Sequence, residues 1–242
     1  MHLASLSGSA TMHAAYCYPS KMNVLLSTTY FGPIQWYQKL YRADEAWIEQ
    51  HESFQKQTYR NRCLIATTQG TQALTVPVER TGSSLDIKDI RISDHGNWPH
   101  LHWNALQSAY GDSPFFMYYE DDLRPFFEQR WDYLFDFNEA IREKICELLD
   151  IHPVVHYTES FISPSSLTSY LSFPSSARLP VAFPLTSLHD FREAITPKHP
   201  APDPDFTPRR YYQVYEAKHG FQPNLSILDL LFNMGPESIF WL

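Results

Sequence analysis

The segment from residue 23 to residue 49 limits the fold more than any other part of the chain. Residues 23–29 form a short apolar, β-branched run that is typical of a buried strand, and residues 45–49 form a second candidate strand. Between them Pro33 suits the first turn of a helix, which residues 34–40 continue with apolar side chains at helical spacing. Two strands joined by a helix over so short a span predict a parallel βαβ unit, so we expect an α/β fold with a Rossmann-like core.

The rest of the chain predicts an inserted β-hairpin and a helical second half. Residues 62–67 and 73–78 are apolar runs on either side of Gly70, as in a hairpin. Residues 84–92 alternate apolar and polar side chains, which indicates a half-buried strand, and residues 115–119 indicate a short strand or turn. Helices are predicted over residues 98–110, 121–131, 136–149, 211–217 and 226–233, the last of them capped by Asn224 or Ser226.

A proline-rich irregular region lies between residues 153 and 208. Ten of the 18 prolines fall there and no glycine does, so long helices and central strands are not expected. We predict one strand at residues 154–157, followed by irregular chain that partly covers a site as a lid. Residues 1–21 do not resemble a secretory signal, and we expect them to be an N-terminal extension to a single domain over residues 22–242.

Composition excludes several classes of function. The net charge of −8 argues against a nucleic-acid partner, because no domain-wide positive field is available. No apolar run reaches the ~18 residues of a spanning helix, so no stable membrane insertion is expected. Three cysteines without paired spacing are typical of a reduced compartment, and we expect a cytoplasmic protein. The 15% of aromatic residues either fill the core, which we favour, or line a groove that stacks on the rings of sugars or bases.

The motifs of the common cofactor and metal enzymes are absent from the sequence. It contains no GxGxxG, GxxxxGK[ST], GxSxG or HExxH, so no motif identifies a cofactor and no metal site is predicted. The turn TTYFGPIQ follows the first strand and leads into the first helix, whose N-terminus attracts anions. It is either an ordinary βα turn or part of a ligand pocket lined by Tyr30 and Gln35.

The stretch SFQKQTYRNRC at residues 53–63 is basic in an acidic chain and contains no acid. If it leaves the second strand at the ligand-binding edge of the sheet, its side chains would bind phosphate, carboxylate or sugar hydroxyls. Alternatively, these are surface charges that pair with Glu52 and Asp44. The candidate ligand-binding residues are Gln55, Lys56, Gln57, Arg60, Asn61 and Arg62.

Two further polar residues fall within apolar helical patterns. His102 lies on the apolar face of the helix at residues 98–110, where it is either a hydrogen-bonded core residue or a proton-transfer group. Asp229 lies in a helix that is apolar on all sides, so it needs a cation or hydrogen-bond donors, for which Arg60 and Arg62 are candidates. Its role is structural or catalytic, and Asn224 is a ligand-binding candidate just before the same helix.

Five ordered blocks of this sequence resemble the WbqC-like protein family. They are YFGPIQWYQKL, FQKQTYRNRC, LTVPV, WPHLHWNALQSAYGDSPFFMYY and GFQPNLSILDLLFNMGPES, and the resemblance runs from Met22 to Ser238. It implies a role in bacterial O-antigen or other surface-polysaccharide metabolism. We therefore expect a transferase-like enzyme of surface-glycan biosynthesis that acts on an activated sugar or on an acyl or aminoacyl donor, with an anionic or sugar-containing small molecule as its substrate. The alternative is a non-catalytic glycan-binding or assembly protein with an aromatic groove.

Overall fold

The computed structural model describes residues 22–79, 85–165 and 188–242 of the chain. Within these ranges the strands are β1 (Met22–Ser27), β2 (Ala43–Glu49), β3 (Arg62–Thr67), β4 (Gly70–Thr75), β5 (Val155–Tyr157) and β6 (Leu188–Asp190). The α-helices there are α1 (Ile34–Arg42), α2 (Trp98–Tyr110), α3 (Phe116–Leu123), α4 (Pro125–Glu128), α5 (Leu134–Leu148), α6 (Glu216–His219) and α7 (Ile227–Met234). The predicted N-terminal extension and most of the predicted lid lie outside the described residues.

The predicted βαβ unit is confirmed. β2 begins directly after α1 and pairs in parallel with β1, so that Val24 lies opposite Ala46 and Leu26 opposite Ile48. The sheet has the order β5-β2-β1-β6, and every pair of neighbouring strands in it is parallel. β5 and β6 both come from the proline-rich region, and both are three-residue strands at the edges of the sheet, where proline-rich chain is tolerated. β6 was not expected from the sequence.

The hairpin of β3 and β4 is antiparallel and forms a separate two-stranded sheet. Gly70 has a φ of 104°, which lets the chain reverse after Thr67, so β4 starts three residues earlier than predicted. The hairpin is tied to α2 because the Tyr110 hydroxyl accepts a hydrogen bond from the backbone N–H of Ala66 at 3.0 Å.

Several predicted elements are correct and others need correction. α2 has the predicted bounds, and α5 and α7 lie within two residues of theirs. The helix predicted over residues 121–131 is wrong in extent: α3 starts at Phe116, in the segment predicted as strand or turn, and α4 ends at Glu128. Pro125 separates the two helices, because a proline in a helix interior removes an N–H and clashes with the preceding turn.

The strand predicted over residues 84–92 is also wrong. Ile87–Asp89 form a 3₁₀ turn, and only isolated bridges flank it. Ile87 and Ile90 are three residues apart, which is the repeat of a 3₁₀ helix, and both are buried. The helix predicted over residues 211–217 is wrong in its bounds, because α6 begins only at Glu216. Tyr211 and Gln213 instead direct their side chains at a buried carboxylate described below.

The core is aromatic-rich and includes buried ion pairs. The residues of α1 from Ile34 to Leu40 are all buried, including Lys39, which donates to Asp203 at 2.8 Å and lies over the ring of Phe191. Trp36, Tyr37 and many phenylalanines lie among the least exposed side chains, so much of the aromatic excess fills the core. In the described ranges, no helix has the length and apolarity that a membrane span requires.

Candidate functional site

The four parallel strands end along one edge of the sheet, and a cavity of about 320 Å³ lies there. Open α/β sheets bind their ligands in the crevice at the carboxyl ends of the strands, so this position is the expected one for a ligand. We call this space the carboxyl-edge cavity. It is lined by His51, Glu52, Ser53, Gln55, Phe161, Pro164, Asp190, Arg192 and Glu193.

Glu49, the last residue of β2, joins three strand ends beneath the cavity and is fully buried. Its Oε1 accepts from the hydroxyl of Thr158 at 2.6 Å, just after β5, and from the backbone N–H of His51 at 2.9 Å. Its Oε2 accepts from the backbone N–H of Ile162 at 2.9 Å and from Nη1 of Arg192, after β6, at 3.3 Å. Both carboxylate oxygens are therefore occupied, and Glu49 holds the edge of the sheet together.

Arg192 presents a fixed guanidinium to the cavity. Its Nε and Nη2 donate to the two oxygens of Asp190 at 2.9 and 2.7 Å, a bidentate pairing that fixes the plane of the group. Nη2 also donates to the carbonyl of Ile162 at 2.7 Å, and the guanidinium lies over the ring of Phe161. These partners keep the side chain in one position, and the neighbouring carboxylates raise the pKa of Arg192 although burial opposes this.

Arg60 enters the core beside the cavity instead of facing solvent. Its Nε donates to Oε1 of Glu52 at 2.7 Å, and its Nη2 contacts Oε2 of Glu52 and donates to the hydroxyl of Ser27 at 2.9 Å. Both charged residues are almost completely buried. The pairing with Glu52 that the sequence offered as an alternative is therefore present, but it is buried and it fixes a carboxylate that lines the cavity.

His51, on the wall of the cavity, is paired with the carboxylate of Asp86. Nδ1 of His51 and Oδ2 of Asp86 are 2.9 Å apart. The pair is held by the backbone: Ile87 donates to the carbonyl of Glu52 at 2.8 Å, and Ser53 forms an antiparallel bridge with Asp86. His51 thus has a defined orientation on a short, hydrogen-bonded connection between two segments.

The rest of the predicted basic stretch divides between surface and hairpin. Gln55, Lys56 and Gln57 are exposed on a turn that is closed by a hydrogen bond from the Thr58 hydroxyl to the carbonyl of Gln55. Gln55 lines the cavity, whereas Gln57 accepts from Lys198 at 2.7 Å.

Asn61 and Arg62 belong to the start of the hairpin. Nδ2 of Asn61 donates to the carbonyl of Val76, which ties the chain before β3 to the chain after β4. Nε of Arg62 is buried and has no hydrogen-bond partner within the described ranges. Neither residue lines the carboxyl-edge cavity.

Tyr30 and His102 contact each other in the core. The Tyr30 hydroxyl and Nδ1 of His102 are 2.9 Å apart, and His102 also bonds to the backbone of Thr75 in β4. Burial lowers the pKa of His102 to about 4 and raises that of Tyr30 well above its usual value. His102 is neutral near pH 7 and links α2 with the hairpin, and neither side chain lines the carboxyl-edge cavity.

Gln35 and Asn224 form a reciprocal cap at the N-terminus of α1. Oδ1 of Asn224 accepts from the backbone N–H of Gln35 at 2.9 Å, and its Nδ2 donates to Oε1 of Gln35 at 3.0 Å. The N–H of Ile34 donates to the carbonyl of Leu225, so the first N–H groups of α1 are already bonded. The turn that the sequence offered as an anion site is thus closed by the chain itself.

Asp229 is enclosed by neutral donors, and the prediction of Arg60 or Arg62 as its partner is wrong. Tyr110 donates to its Oδ1 at 2.8 Å, while Tyr211 and Gln213 donate to its Oδ2 at 2.5 and 2.9 Å. Burial raises the pKa of Asp229, and the three donors oppose that effect. The carboxylate joins α2, α7 and the chain before α6, and it does not line the carboxyl-edge cavity.

A second cavity, of about 400 Å³, lies at the N-terminus of α2 and corresponds best to the predicted aromatic groove. Its aromatic lining consists of Trp98, Trp103 and Phe127, with His100 and Arg130 among its polar residues. Trp98 and Trp103 are each only 9% exposed, because their rings pack on other aromatic side chains of the core. Little ring surface is left for stacking on a sugar.

Sequence reasoning missed most residues of the carboxyl-edge cavity. His51 and Glu52 lie two and three residues after the second predicted strand, and this position was the signal that could have identified them. Asp190 ends a strand that is too short to recognise in a proline-rich region, and Arg192 follows it. Asp86 was assigned to a strand, whereas it precedes a 3₁₀ turn that packs on the segment after β2.

Comparison with known proteins agrees with the sequence blocks. Residues 28–175, more than half of the chain, match the WbqC-like protein family. The chain belongs to the WbqC-like protein family. It is also 29% identical over 209 residues to an uncharacterized protein of Mycobacterium tuberculosis, an alignment that covers 81% of this chain and 86% of the relative. No solved structure matches the chain. Family membership suggests a role in surface-polysaccharide-associated processes.

Proposed function

We propose that this WbqC-like protein is an enzyme of bacterial surface-glycan biosynthesis, which transfers or modifies a group on an activated sugar or on an acyl or aminoacyl donor. The observation that carries the proposal is the carboxyl-edge cavity, in which charged side chains are held by buried ion pairs at the ends of parallel strands. Polar groups that are fixed before the ligand arrives need no reorganisation during a reaction, which is the arrangement that catalysis favours.

The charges of the cavity favour a ligand that donates hydrogen bonds. Among the acids of its lining, Glu52 is paired with Arg60 and Asp190 with Arg192, whereas the exposed carboxylate of Glu193 has no ion-pair partner among the described residues. Carboxylates accept hydrogen bonds from hydroxyl and amino groups. A sugar hydroxyl or amine is therefore the part of the substrate that we place in the cavity.

A binding experiment with a matched control tests this proposal. Wild-type protein is titrated by calorimetry with UDP-, dTDP- and CDP-sugars, with acyl-CoA and with hydroxyl- or amino-sugar acceptors, and the mixtures are analysed for new products. Glu193→Gln removes an exposed cavity carboxylate, whereas Glu237→Gln removes an exposed carboxylate elsewhere. We expect Glu193→Gln alone to weaken acceptor binding, by about tenfold, since a hydrogen bond to a charged group contributes about 1.5–3 kcal/mol.

The outcomes separate the proposal from its alternatives. Binding without any product favours the non-catalytic glycan-binding protein that the sequence offered as the alternative. Acceptor binding that Glu193→Gln and Glu237→Gln leave equally strong contradicts the placement of the acceptor in the carboxyl-edge cavity. No binding by any compound of the panel contradicts the substrate classes proposed here.

A further inference from the structure

The described histidines differ in how their ring nitrogens are used, and one of them is arranged for proton transfer. His102, the histidine that the sequence indicated, has Nδ1 on the Tyr30 hydroxyl and a second bond to the backbone of Thr75. His51 uses Nδ1 for the Asp86 carboxylate, and its Nε2 has no hydrogen-bond partner in the part of the chain that the structure describes. His51 also lines the carboxyl-edge cavity, which His102 does not.

We propose that His51 is the proton-transfer residue of the carboxyl-edge cavity and that Asp86 is its positioning residue. This inference rests on the proposed function. A carboxylate that accepts from Nδ1–H fixes the tautomer in which Nε2 carries a lone pair, and it stabilises the imidazolium that forms when Nε2 takes a proton. Nε2 is then the atom that acts on a ligand in the cavity.

The surroundings of His51 support a fixed geometry. Its backbone N–H donates to Oε1 of Glu49 at 2.9 Å, so the turn that carries the ring is anchored to the buried end of β2. On the opposite side, the 3₁₀ turn that follows Asp86 is held to the same connection, since the N–H of Lys88 donates to the carbonyl of Gln50 at 3.3 Å. The side chain of His51 is 17% exposed, which leaves the ring reachable from the cavity but largely protected from bulk water.

The step assigned to His51 is the deprotonation of the acceptor. The acceptor hydroxyl or amine gives its proton to Nε2 while its oxygen or nitrogen forms a bond to the electrophilic carbon of the donor. The bond from that carbon to the leaving group breaks, and the leaving group departs with the electron pair. The proton then passes from Nε2 to the leaving group or to water, which restores neutral His51.

Chemical modification tests the dyad without any knowledge of the substrate. Diethyl pyrocarbonate acylates an unprotonated imidazole nitrogen, and mass spectrometry locates the modified residues. We expect modification at His51, protection at His102, and a roughly tenfold slower reaction at His51 in Asp86→Asn, because an amide can donate to Nδ1 and place the hydrogen on Nε2. The rate at the exposed His100 serves as the internal control and should not change. An unchanged rate at His51 in Asp86→Asn would overturn the role of Asp86.

Genetic complementation tests the function of the same pair. A native-host strain without the gene receives wild type, His51→Gln, Asp86→Asn or His100→Gln, with circular dichroism of each purified protein as the folding control. We expect wild type and His100→Gln to restore the surface glycan and His51→Gln to abolish it, because a general base contributes about 10²–10⁴-fold to a rate. Asp86→Asn should restore little of the surface glycan, and the conservative variant Asp86→Glu should restore more of it.

Each result decides between the two proposals. If His51→Gln restores the glycan fully, the assignment of His51 is wrong while the proposed function stands. If deletion of the gene leaves the glycan unchanged, the proposed function is wrong and the step assigned to His51 falls with it. Modification of His102 at the rate of His51 would contradict the contrast between the two histidines.

Discussion

The buried, neutral His102 makes a quantitative prediction for stability in acid. Burial lowers its pKa from 6.5 to about 4 in the folded chain, while an unfolded chain binds the proton near the ordinary value. Between these two values the unfolded state binds more protons, so the free energy of unfolding falls as the pH falls. A difference of about 2.5 pH units, at about 1.4 kcal/mol per unit, gives a loss of about 3 kcal/mol on going from pH 7 to pH 4.

The prediction is measured by urea unfolding, followed by tryptophan fluorescence, at several pH values between about 7 and 4. His102→Gln removes the titrating group, and His100→Gln on the same helix is the matched, exposed control. Wild type and His100→Gln should lose about 3 kcal/mol more than His102→Gln over this range. Asp229 and Glu139, whose pKa values are raised by burial, act in the opposite direction but are common to all three proteins. Parallel curves for the three proteins would contradict the lowered pKa of His102.

Two further predictions concern the frame of the candidate site and the core. Arg60→Met leaves Glu52 buried without its cation and should lower the free energy of unfolding by about 3–5 kcal/mol. The double variant that adds Glu52→Gln should recover part of this loss. A loss under about 1 kcal/mol in urea unfolding would contradict the buried pairing. Gly235→Ala should destabilise the chain by about 2 kcal/mol or more, because φ is 58° and the added methyl would lie 2.5 Å from the Phe115 ring. Gly96 has a φ of 74°, but an added methyl there would contact nothing, so Gly96→Ala should cost only the backbone strain. Equal melting temperatures for the two variants would contradict the steric clash at Gly235.

Local sequence patterns predicted the secondary structure correctly in segments whose conformation does not depend on distant residues. The βαβ unit and α2 follow from apolar periodicity and proline placement, and both are found where the sequence predicts them. The pattern at residues 84–92 was misread because Ile87 and Ile90 fit a 3₁₀ repeat as well as a strand. Residues 211–217 have helical spacing, but hydrogen bonds to the distant Asp229 determine their conformation instead.

The sequence predicted a ligand site at the carboxyl edge of the sheet, but it did not predict most of the residues that line the cavity there. The carboxyl edge follows from the βαβ unit, and Gln55 was expected there. The residues that hold the cavity together are far apart in the sequence. Arg192 and Glu49 are separated by more than 140 residues, and no spacing rule predicts such a contact. Arg60 was expected to bind a ligand, but the burial of Glu52 eight residues earlier requires a cation in the core.

The most direct test of the account is to fill the carboxyl-edge cavity without disturbing the fold. Gln55 and Lys56 are exposed neighbours on one turn, and only Gln55 lines the cavity. Gln55→Trp and Lys56→Trp are therefore matched variants, to be compared for surface glycan in the deletion strain after circular dichroism has shown that both are folded. We expect loss of the surface glycan with Gln55→Trp and a normal glycan with Lys56→Trp. A normal glycan with both variants would contradict the claim that this cavity is the functional site.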